Sequence, residues 1–203
     1  MKRLLLLLPL MILLASGGVK TTEVSPIGKT VNDFCLLNTD GKQVSLSDYK
    51  TAKGFVVVFI CNHCPFAKLY TDRLNALNTK YKPLGIPVLT INSMDTLTYE
   101  SERWELMRSR AQSEHYNFPY LQDAAQTVGQ NFGANRTPHA YVLWRVNNKW
   151  IIKYSGAIDD NGKDAPAAQP FIANALDDLL AGKPVANPET LTVGCAIHYR
   201  LNQ

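Results

Sequence analysis

One short segment constrains the fold of this chain more than any other: six apolar residues followed at once by a pair of cysteines. Residues 55–60 read FVVVFI, without the alternation expected of a strand that has one face in water. Such a run is typical of a strand buried on both faces of a sheet. The motif CNHCP at 61–65 follows directly, and residues 65–81 carry apolar side chains at helical spacing. The segment therefore predicts a buried strand, a two-cysteine turn and a helix.

The rest of the sequence alternates strand and helix patterns around this segment. We predict further strands at 34–37, 44–46, 86–91, 118–121, 140–146 and 150–154, and helices at 98–113, 124–132 and 167–180. The turn residues Asp40-Gly41 and Asn147-Asn148 join two of the strand pairs as β-hairpins. This order predicts an α/β domain with a central mixed β-sheet flanked by helices and an N-terminal β-hairpin.

The first eighteen residues follow the order of a secretory signal peptide. A basic start, Met1-Lys2-Arg3, precedes an apolar run at 4–14 and small residues at 15–18. The run would rise about 16 Å as a helix, roughly half of a hydrocarbon core of about 30 Å. We expect a signal peptide at 1–18, a linker at 19–29, one domain at 30–186 and a C-terminal tail at 187–203. An uncleaved membrane anchor is the alternative; otherwise we expect a soluble protein exported to the periplasm or cell envelope, where disulfides persist.

Charge argues against nucleic acid as a partner. The chain has 21 Lys and Arg against 17 Asp and Glu, and two of the basic residues lie in the leader. This surplus is small and scattered, whereas nucleic-acid binding calls for a clustered basic surface. Hydrophobic residues at 46% and charged residues at 19% are ordinary for a globular chain. We expect no organic cofactor and no obligatory metal.

The two cysteines of the motif are the candidate catalytic residues. Cys61 and Cys64 are spaced to lie on the first turn of a helix, close enough for a disulfide. Unpaired N–H groups and the helix dipole favour a thiolate there, so we expect Cys61 to be the nucleophile and the more buried Cys64 to resolve. His63 adds positive charge when it is protonated. A structural disulfide this short constrains almost no loop, which favours a redox role.

A Thr-Pro pair adds a second signal, because the X–Pro bond is the only peptide bond for which the cis form costs little. Thr137-Pro138 stands just before the strand at 140–146. Two further segments accompany it, FVVVFICNHCPF at 55–66 and YSGAIDD at 154–160. Through these three motifs, residues 26–185 resemble the thioredoxin-like redoxin superfamily, on its alkyl hydroperoxide reductase/thiol-specific antioxidant side. More narrowly, the chain is similar to exported bacterial thioredoxin-family proteins with a Cys-Asn-His-Cys-Pro motif and a late Gly-Cys-x-Ile segment, here at 194–197.

This resemblance implies a thioredoxin-like fold for residues 30–186 and the activity of a thiol–disulfide oxidoreductase. In such proteins the residue at Cys61 attacks and the residue at Cys64 resolves. The Thr137–Pro138 bond would be cis and pack against the disulfide, while the Thr137 backbone pairs with a substrate strand. The implied partners are protein thiols or disulfides and an unidentified redox partner.

Three departures from the family pattern leave the direction of electron flow open. Ile60 stands where thioredoxins commonly have Trp, and Phe55 stands where thioredoxin keeps a buried Asp that helps to move protons. His63 within the motif resembles instead the periplasmic enzymes that introduce disulfides, whose dithiol form is stabilised.

Two other functions stay open at this point. A peroxiredoxin-like thiol peroxidase is the first, although such enzymes need Pro and Thr just upstream of the reactive cysteine and residues 57–60 supply neither. A copper-binding thioredoxin-like metallochaperone is the second, because thiolates and imidazole suit Cu(I). His139 could complete such a site, but we expect its side chain to point outward from the strand.

The remaining polar and sulfur-bearing residues receive structural interpretations. We expect Cys35 to be a small core residue. Cys195 could pair with Cys35, stay free or exchange with Cys61, and the sequence does not choose. The charged residues of 99–114 are interpreted as a solvated helix face.

Overall fold

The computed structural model describes residues 25–200, which form ten strands and five α-helices. The predicted signal peptide at 1–18, part of the predicted linker and the last three residues lie outside this range. The strands are β1 (Thr30–Val31), β2 (Cys35–Asn38), β3 (Gln43–Ser45), β4 (Gly54–Phe59), β5 (Val88–Asn92), β6 (Tyr120–Gln122), β7 (Arg136–Thr137), β8 (His139–Val146), β9 (Lys149–Gly156) and β10 (Cys195–Ala196). The helices are α1 (Pro65–Lys68), α2 (Thr71–Tyr81), α3 (Trp104–Ser113), α4 (Thr127–Phe132) and α5 (Phe171–Leu180). No helix of the described part is long and apolar enough to cross a membrane.

Strand β4 lies at the centre of an eight-stranded sheet with the order β1-β9-β8-β4-β5-β6-β2-β3. It pairs in parallel with β5 and antiparallel with β8, so the sheet is mixed, as predicted. All six residues of β4 are buried, because other parts of the fold cover both faces of the strand. The unbroken apolar run therefore indicates a central strand, as predicted. The predicted α/β class with a thioredoxin-like arrangement is confirmed.

Both predicted hairpins are present. Strands β2 and β3 pair antiparallel, with Leu36 opposite Val44, and β2 also joins the sheet beside β6. Strands β8 and β9 form the longer hairpin, whose turn residues Asn147 and Asn148 both have positive φ. Asn tolerates this left-handed backbone better than most residues, which is why it marks such turns.

All four predicted helices begin later or break where the pattern suggested continuity, and α4 begins at Thr127 instead of residue 124. The helix predicted at 65–81 is split into α1 and α2, because Tyr70 leaves the helical region (φ −109°, ψ 3°) and donates its hydroxyl to Asp159 at 3.1 Å. The helix predicted from 98 is preceded by a short 3-10 helix, Glu100–Glu102, and an extended Arg103. Helix α5 starts only after Pro170, since the residue before a proline is disfavoured in helical conformation.

The C-terminal segment is packed onto the domain as far as it is described. Strand β10 pairs antiparallel with β7 in a small second sheet. Ile197 is buried, and its N–H donates to Asn135 O at 2.9 Å. The Tyr199 hydroxyl donates to Ala134 O at 2.5 Å. This segment therefore pairs with Arg136–Thr137, directly before the cis-proline.

Candidate active site

The two cysteines lie in the loop between β4 and α1. The helix begins at Pro65, and Cys64 is its N-cap with an extended backbone (ψ 115°). Cys61 therefore precedes the helix, so the prediction that both cysteines occupy its first turn was wrong. The cause is Pro65, which suits the first helical position and keeps the residue before it extended. Both side chains have 0% exposure, so Cys64 is not the more buried of the two.

Thr137 contacts both sulfur atoms. Its Oγ1 lies 3.2 Å from Cys61 Sγ, and its carbonyl oxygen accepts from Cys64 Sγ at 3.0 Å. The bond from Thr137 to Pro138 is cis. The fold thus brings together the candidate residues Cys61, Cys64, Thr137 and Pro138, although some seventy residues separate the two halves in sequence.

The two thiols differ in acidity because they share a hydrogen bond. Donation from Cys61 lowers the pKa of Cys64, and contacts with Cys195, Thr137 and the Ala67 N–H act in the same direction. That same bond raises the pKa of Cys61, and burial and the charge of Glu102 raise it further. These contacts favour Cys64, the N-cap residue, as the sulfur that carries the charge when the pair loses a proton, and its donation to the Thr137 carbonyl then ends.

His63 is held by a buried carboxylate. Its Nδ1 lies 2.7 Å from Glu102 Oε1 and 3.9 Å from Cys61 Sγ, and its ring stacks on Tyr99. The His63 side chain is 34% exposed, whereas that of Glu102 is fully buried. Glu102 lies within hydrogen-bond distance of the motif, and no sequence pattern predicted this contact.

The backbone of the cysteine loop is tied to the segment at 99–114 from two sides. Glu102 accepts the N–H groups of Asn62 and His63 at 2.7 and 2.9 Å. Arg110 donates to the carbonyl oxygens of Cys61 and Asn62 at 2.7 and 3.1 Å. Glu102 and Arg110 are both buried, so the interpretation of 99–114 as a solvated face was wrong for these two residues. The weak amphipathicity of the segment gave no signal that they turn inward.

One group of side chains in the described part has the composition of a metal site. Ligand atoms of Cys61, His63 and Glu102 lie within 4.8 Å of one another. Both carboxylate oxygens are occupied, however: Oε2 accepts from Asn62 N and Asn92 Nδ2, and Oε1 accepts from His63 N. The arrangement is a satisfied hydrogen-bond network, which a metal would have to displace.

His139 does not join this group. The side chain is buried, its Nε2 lies 3.0 Å from Ser155 Oγ, and its Nδ1 lies 3.3 Å from the Tyr141 hydroxyl. Burial lowers its pKa to about 4. The expectation that His139 points outward was therefore wrong, and the side chain belongs to a polar cluster of β8 and β9.

The Thr137 backbone is already paired with the chain's own β10, in which Cys195 lies opposite Thr137. The expectation of a free edge for a substrate strand is therefore not met in this conformation. The Cys195 thiol is half-buried and interacts with the Cys64 thiol. Cys35 is exposed on the short strand β2, with its sulfur 3.5 Å from Gln43 Oε1, so its assignment to the core was wrong.

A cavity of about 280 Å³ opens on the other side of the cis-proline. Pro138 and Tyr70 form part of its wall, and Leu191 and Val193 from the C-terminal segment form another part. Leu191 is 85% exposed and Val193 is 61% exposed. The cis-proline therefore lies in the wall of a cavity that the C-terminal segment helps to form.

A mixed sheet, a thiol pair at the start of a helix and a threonine that contacts both sulfurs and precedes a cis-proline define a thioredoxin-like oxidoreductase. The chain belongs to the AhpC/TSA family, whose sequence profile matches residues 27–163.

Solved and curated proteins are similar to this chain over most of its length. An uncharacterised conserved protein from Geobacillus kaustophilus is 35% identical with a TM-score of 0.79, covering 88% of this chain and 94% of its own. A hypothetical protein from Sinorhizobium meliloti is 28% identical with a TM-score of 0.79, covering 89% and 98%. The thiol-disulfide oxidoreductase ResA of Bacillus thuringiensis is 23% identical over 151 residues, 70% of this chain and 83% of the relative.

Proposed function

We propose that this protein is an exported thiol–disulfide oxidoreductase that exchanges disulfides with other proteins through Cys61 and Cys64. The observation that carries the proposal is that both sulfurs contact Thr137, the residue that precedes the cis-proline. Such a site holds two thiols together beside the Thr137 backbone, which β10 covers in this conformation. The name of the curated relative ResA supports the same activity.

The chemistry follows from the shared proton. Cys61 attacks one sulfur of a substrate disulfide, and the neighbouring Cys64 thiolate accepts the proton that Cys61 gives up. The first substrate sulfur leaves as a thiolate and takes this proton from Cys64, and Cys64 then attacks Cys61 Sγ in the mixed disulfide. The second substrate sulfur leaves as a thiolate that takes up a proton from water, so the substrate is released as a dithiol. Two electrons pass to the substrate, and the Cys61–Cys64 disulfide forms; the reverse sequence inserts a disulfide into the substrate.

Polar neighbours assist the proton movements. A single nitrogen of His63, Nδ1, faces both Cys61 Sγ and Glu102 Oε1, so it engages one of them at a time, and a protonated ring places positive charge beside the Cys61 sulfur. His63 also tunes the pair, since the balance of charge around the sulfurs sets how stable the dithiol form is. Thr137 and Pro138 bind the substrate chain once β10 moves aside.

Export is the cellular part of the proposal, and it rests on the leader at 1–18. Expression of the full chain in a bacterium, followed by fractionation and amino-terminal sequencing, tests it. We expect a product in the envelope fraction that starts close to residue 19. An intact leader on cytosolic protein would contradict export and leave the redox proposal standing.

The reduction potential tests the redox function. The Cys35→Ser protein is equilibrated with glutathione buffers, and the Cys61–Cys64 state is read by thiol trapping and mass spectrometry. A potential near or below about −220 mV indicates a reductase, and one near about −120 mV indicates a disulfide donor. Absence of a reversible disulfide between Cys61 and Cys64 overturns the proposal.

Neither alternative function gains an observation in its favour. A peroxidase needs Pro and Thr just upstream of its reactive cysteine, and residues 57–60 supply neither. A copper site needs free ligands, yet His139 is engaged elsewhere and the Glu102 oxygens are occupied.

A further inference from the structure

A third thiol reaches the site from the C-terminal segment. Cys195 pairs in register with Thr137, the residue that contacts both Cys61 and Cys64. We propose that Cys195 is a redox-active thiol that exchanges with the Cys61–Cys64 disulfide by attacking Cys64. This inference rests on the proposed function, because it needs that disulfide as its substrate.

The position of Cys195 is built into the fold. Gly194 lies so close to Thr137 that an added Cβ would fall 2.0 Å from the Thr137 carbonyl oxygen. Beyond Cys195, the Ile197 N–H donates to Asn135 O at 2.9 Å. These contacts hold β10 on β7 from both sides, with the Cys195 thiol against that of Cys64. The strand takes the place beside the cis-proline that the family resemblance assigns to a substrate strand.

The proposed exchange needs no external oxidant. The Cys195 thiolate attacks Cys64 Sγ, the Cys61–Cys64 bond breaks, and Cys61 leaves as a thiolate that takes up a proton. The chain holds one disulfide and one thiol before and after, so the step is an isomerisation. The product carries a Cys64–Cys195 disulfide and a free Cys61.

The state of Cys64 controls when Cys195 is ready to react. In the reduced chain, burial and the hydrogen bond to Cys64 raise the pKa of Cys195 to about 11. Oxidation of Cys64 removes the negative charge that opposes a Cys195 thiolate. Cys195 therefore becomes a better nucleophile once the Cys61–Cys64 disulfide has formed.

The exchange would move the disulfide toward solvent. Cys61 and Cys64 have 0% exposure, whereas Cys195 is half-buried. A partner thiol would therefore reach the Cys64–Cys195 bond at the Cys195 sulfur more readily than it reaches the original bond. In this scheme Cys195 passes oxidising equivalents between the closed pair and an external protein.

Disulfide mapping of cysteine variants tests the inference. The full chain with Cys35→Ser is equilibrated in glutathione buffers, quenched in acid, alkylated and mapped by mass spectrometry. We expect two intramolecular disulfides, Cys61–Cys64 and Cys64–Cys195. Their ratio is expected to stay constant across the buffers, because the two forms have the same oxidation level. Adding Cys61→Ser should leave only Cys64–Cys195, and adding Cys195→Ser should leave only Cys61–Cys64.

The outcomes separate this inference from the proposed function. If Cys61–Cys64 forms and Cys195 is always recovered alkylated, the exchange is refuted and the oxidoreductase stands. Formation of neither disulfide refutes both. If the Cys61→Ser chain fails to fold, the Cys35→Ser protein decides the matter alone, since it keeps all three thiols of the site.

Discussion

Glu102 Oε1 lies 2.7 Å from His63 Nδ1 while the Glu102 side chain has no exposed surface, so the motif rests on a buried negative charge. Five donors surround the carboxylate and compensate for the loss of water: two backbone N–H groups, an amide, an imidazole and a hydroxyl. Burial of a charge is tolerated only with such compensation. The charge in turn acts on Cys61, since it opposes a second negative charge nearby.

Glu102→Gln is expected to lower the pKa of Cys61, because the charge that raises it is removed. The new amide also turns an N–H group toward existing donors, so we expect a loss of about 1–3 kcal/mol in stability. The pH profile of Cys61 alkylation, read by mass spectrometry, and urea unfolding measure the two effects. Glu100→Gln, in the same 3-10 helix and exposed, is the matched control. An unchanged Cys61 profile would contradict the assignment.

Cys61→Ala is expected to raise the pKa of Cys64 toward that of an ordinary thiol, because the hydrogen bond from Cys61 is the largest cause of the depression. Ultraviolet absorbance of the thiolate as a function of pH follows the change. Cys35→Ala removes an exposed thiol elsewhere and serves as the control. An unchanged Cys64 titration would instead assign the acidity to the contacts with Cys195, Thr137 and the Ala67 N–H.

His139 gives stability a pH dependence of defined sign. Burial lowers its pKa from 6.5 to about 4, so the unfolded chain takes up a proton before the folded chain does. Stability is therefore lost as the pH falls from 6.5 toward 4, by about 2 kcal/mol between pH 7 and pH 5. Urea unfolding at the two pH values should show a smaller difference for His139→Gln than for the wild type. His198→Gln changes an exposed imidazole and should leave the difference intact. Equal pH dependence in wild type and His139→Gln would refute this source.

Gly194→Ala is expected to loosen β10 from β7, because the added methyl group collides with the Thr137 carbonyl. Overpacking of this kind costs about 1–3 kcal/mol. Hydrogen exchange should speed up at the Ile197 amide, which Asn135 protects in the wild type. Ala196→Ser changes an exposed neighbour in the same strand and is the control. Unchanged protection at Ile197 would show that the backbone absorbs the methyl group without moving the strand.

The sequence predicts the parts of the fold that local patterns control. The run at 55–60, the turn at Asn147-Asn148 and the helix boundary near Gly182 each follow from neighbours in the chain. The cysteine pair and the Thr-Pro bond were identified for the same reason, since each is a short motif. Their contact through Thr137 is a property of the β4–β8 pairing that joins the two motifs.

The rest of the site depends on long-range contacts that leave no local pattern. Glu102 and Arg110 sit in a highly charged segment, where charge ordinarily means exposure, and only the folded chain shows that they turn toward the cysteine loop. Cys195 belongs to a strand of two residues, too short to show alternation. Its partner Thr137 lies in an equally short strand, so nothing in either segment predicts the pair.

Both sulfurs are fully buried in this conformation, so the chain must open before a reagent reaches them. A thiol reagent that cannot enter the buried site reacts only when the chain opens. The rate of thiol modification should therefore rise with reagent concentration and then level off at the opening rate. Reagents of different intrinsic reactivity would then converge on one limiting rate. We therefore expect the rate of disulfide exchange in this protein to be limited by the motion of its own C-terminal strand and not by the reaction at sulfur.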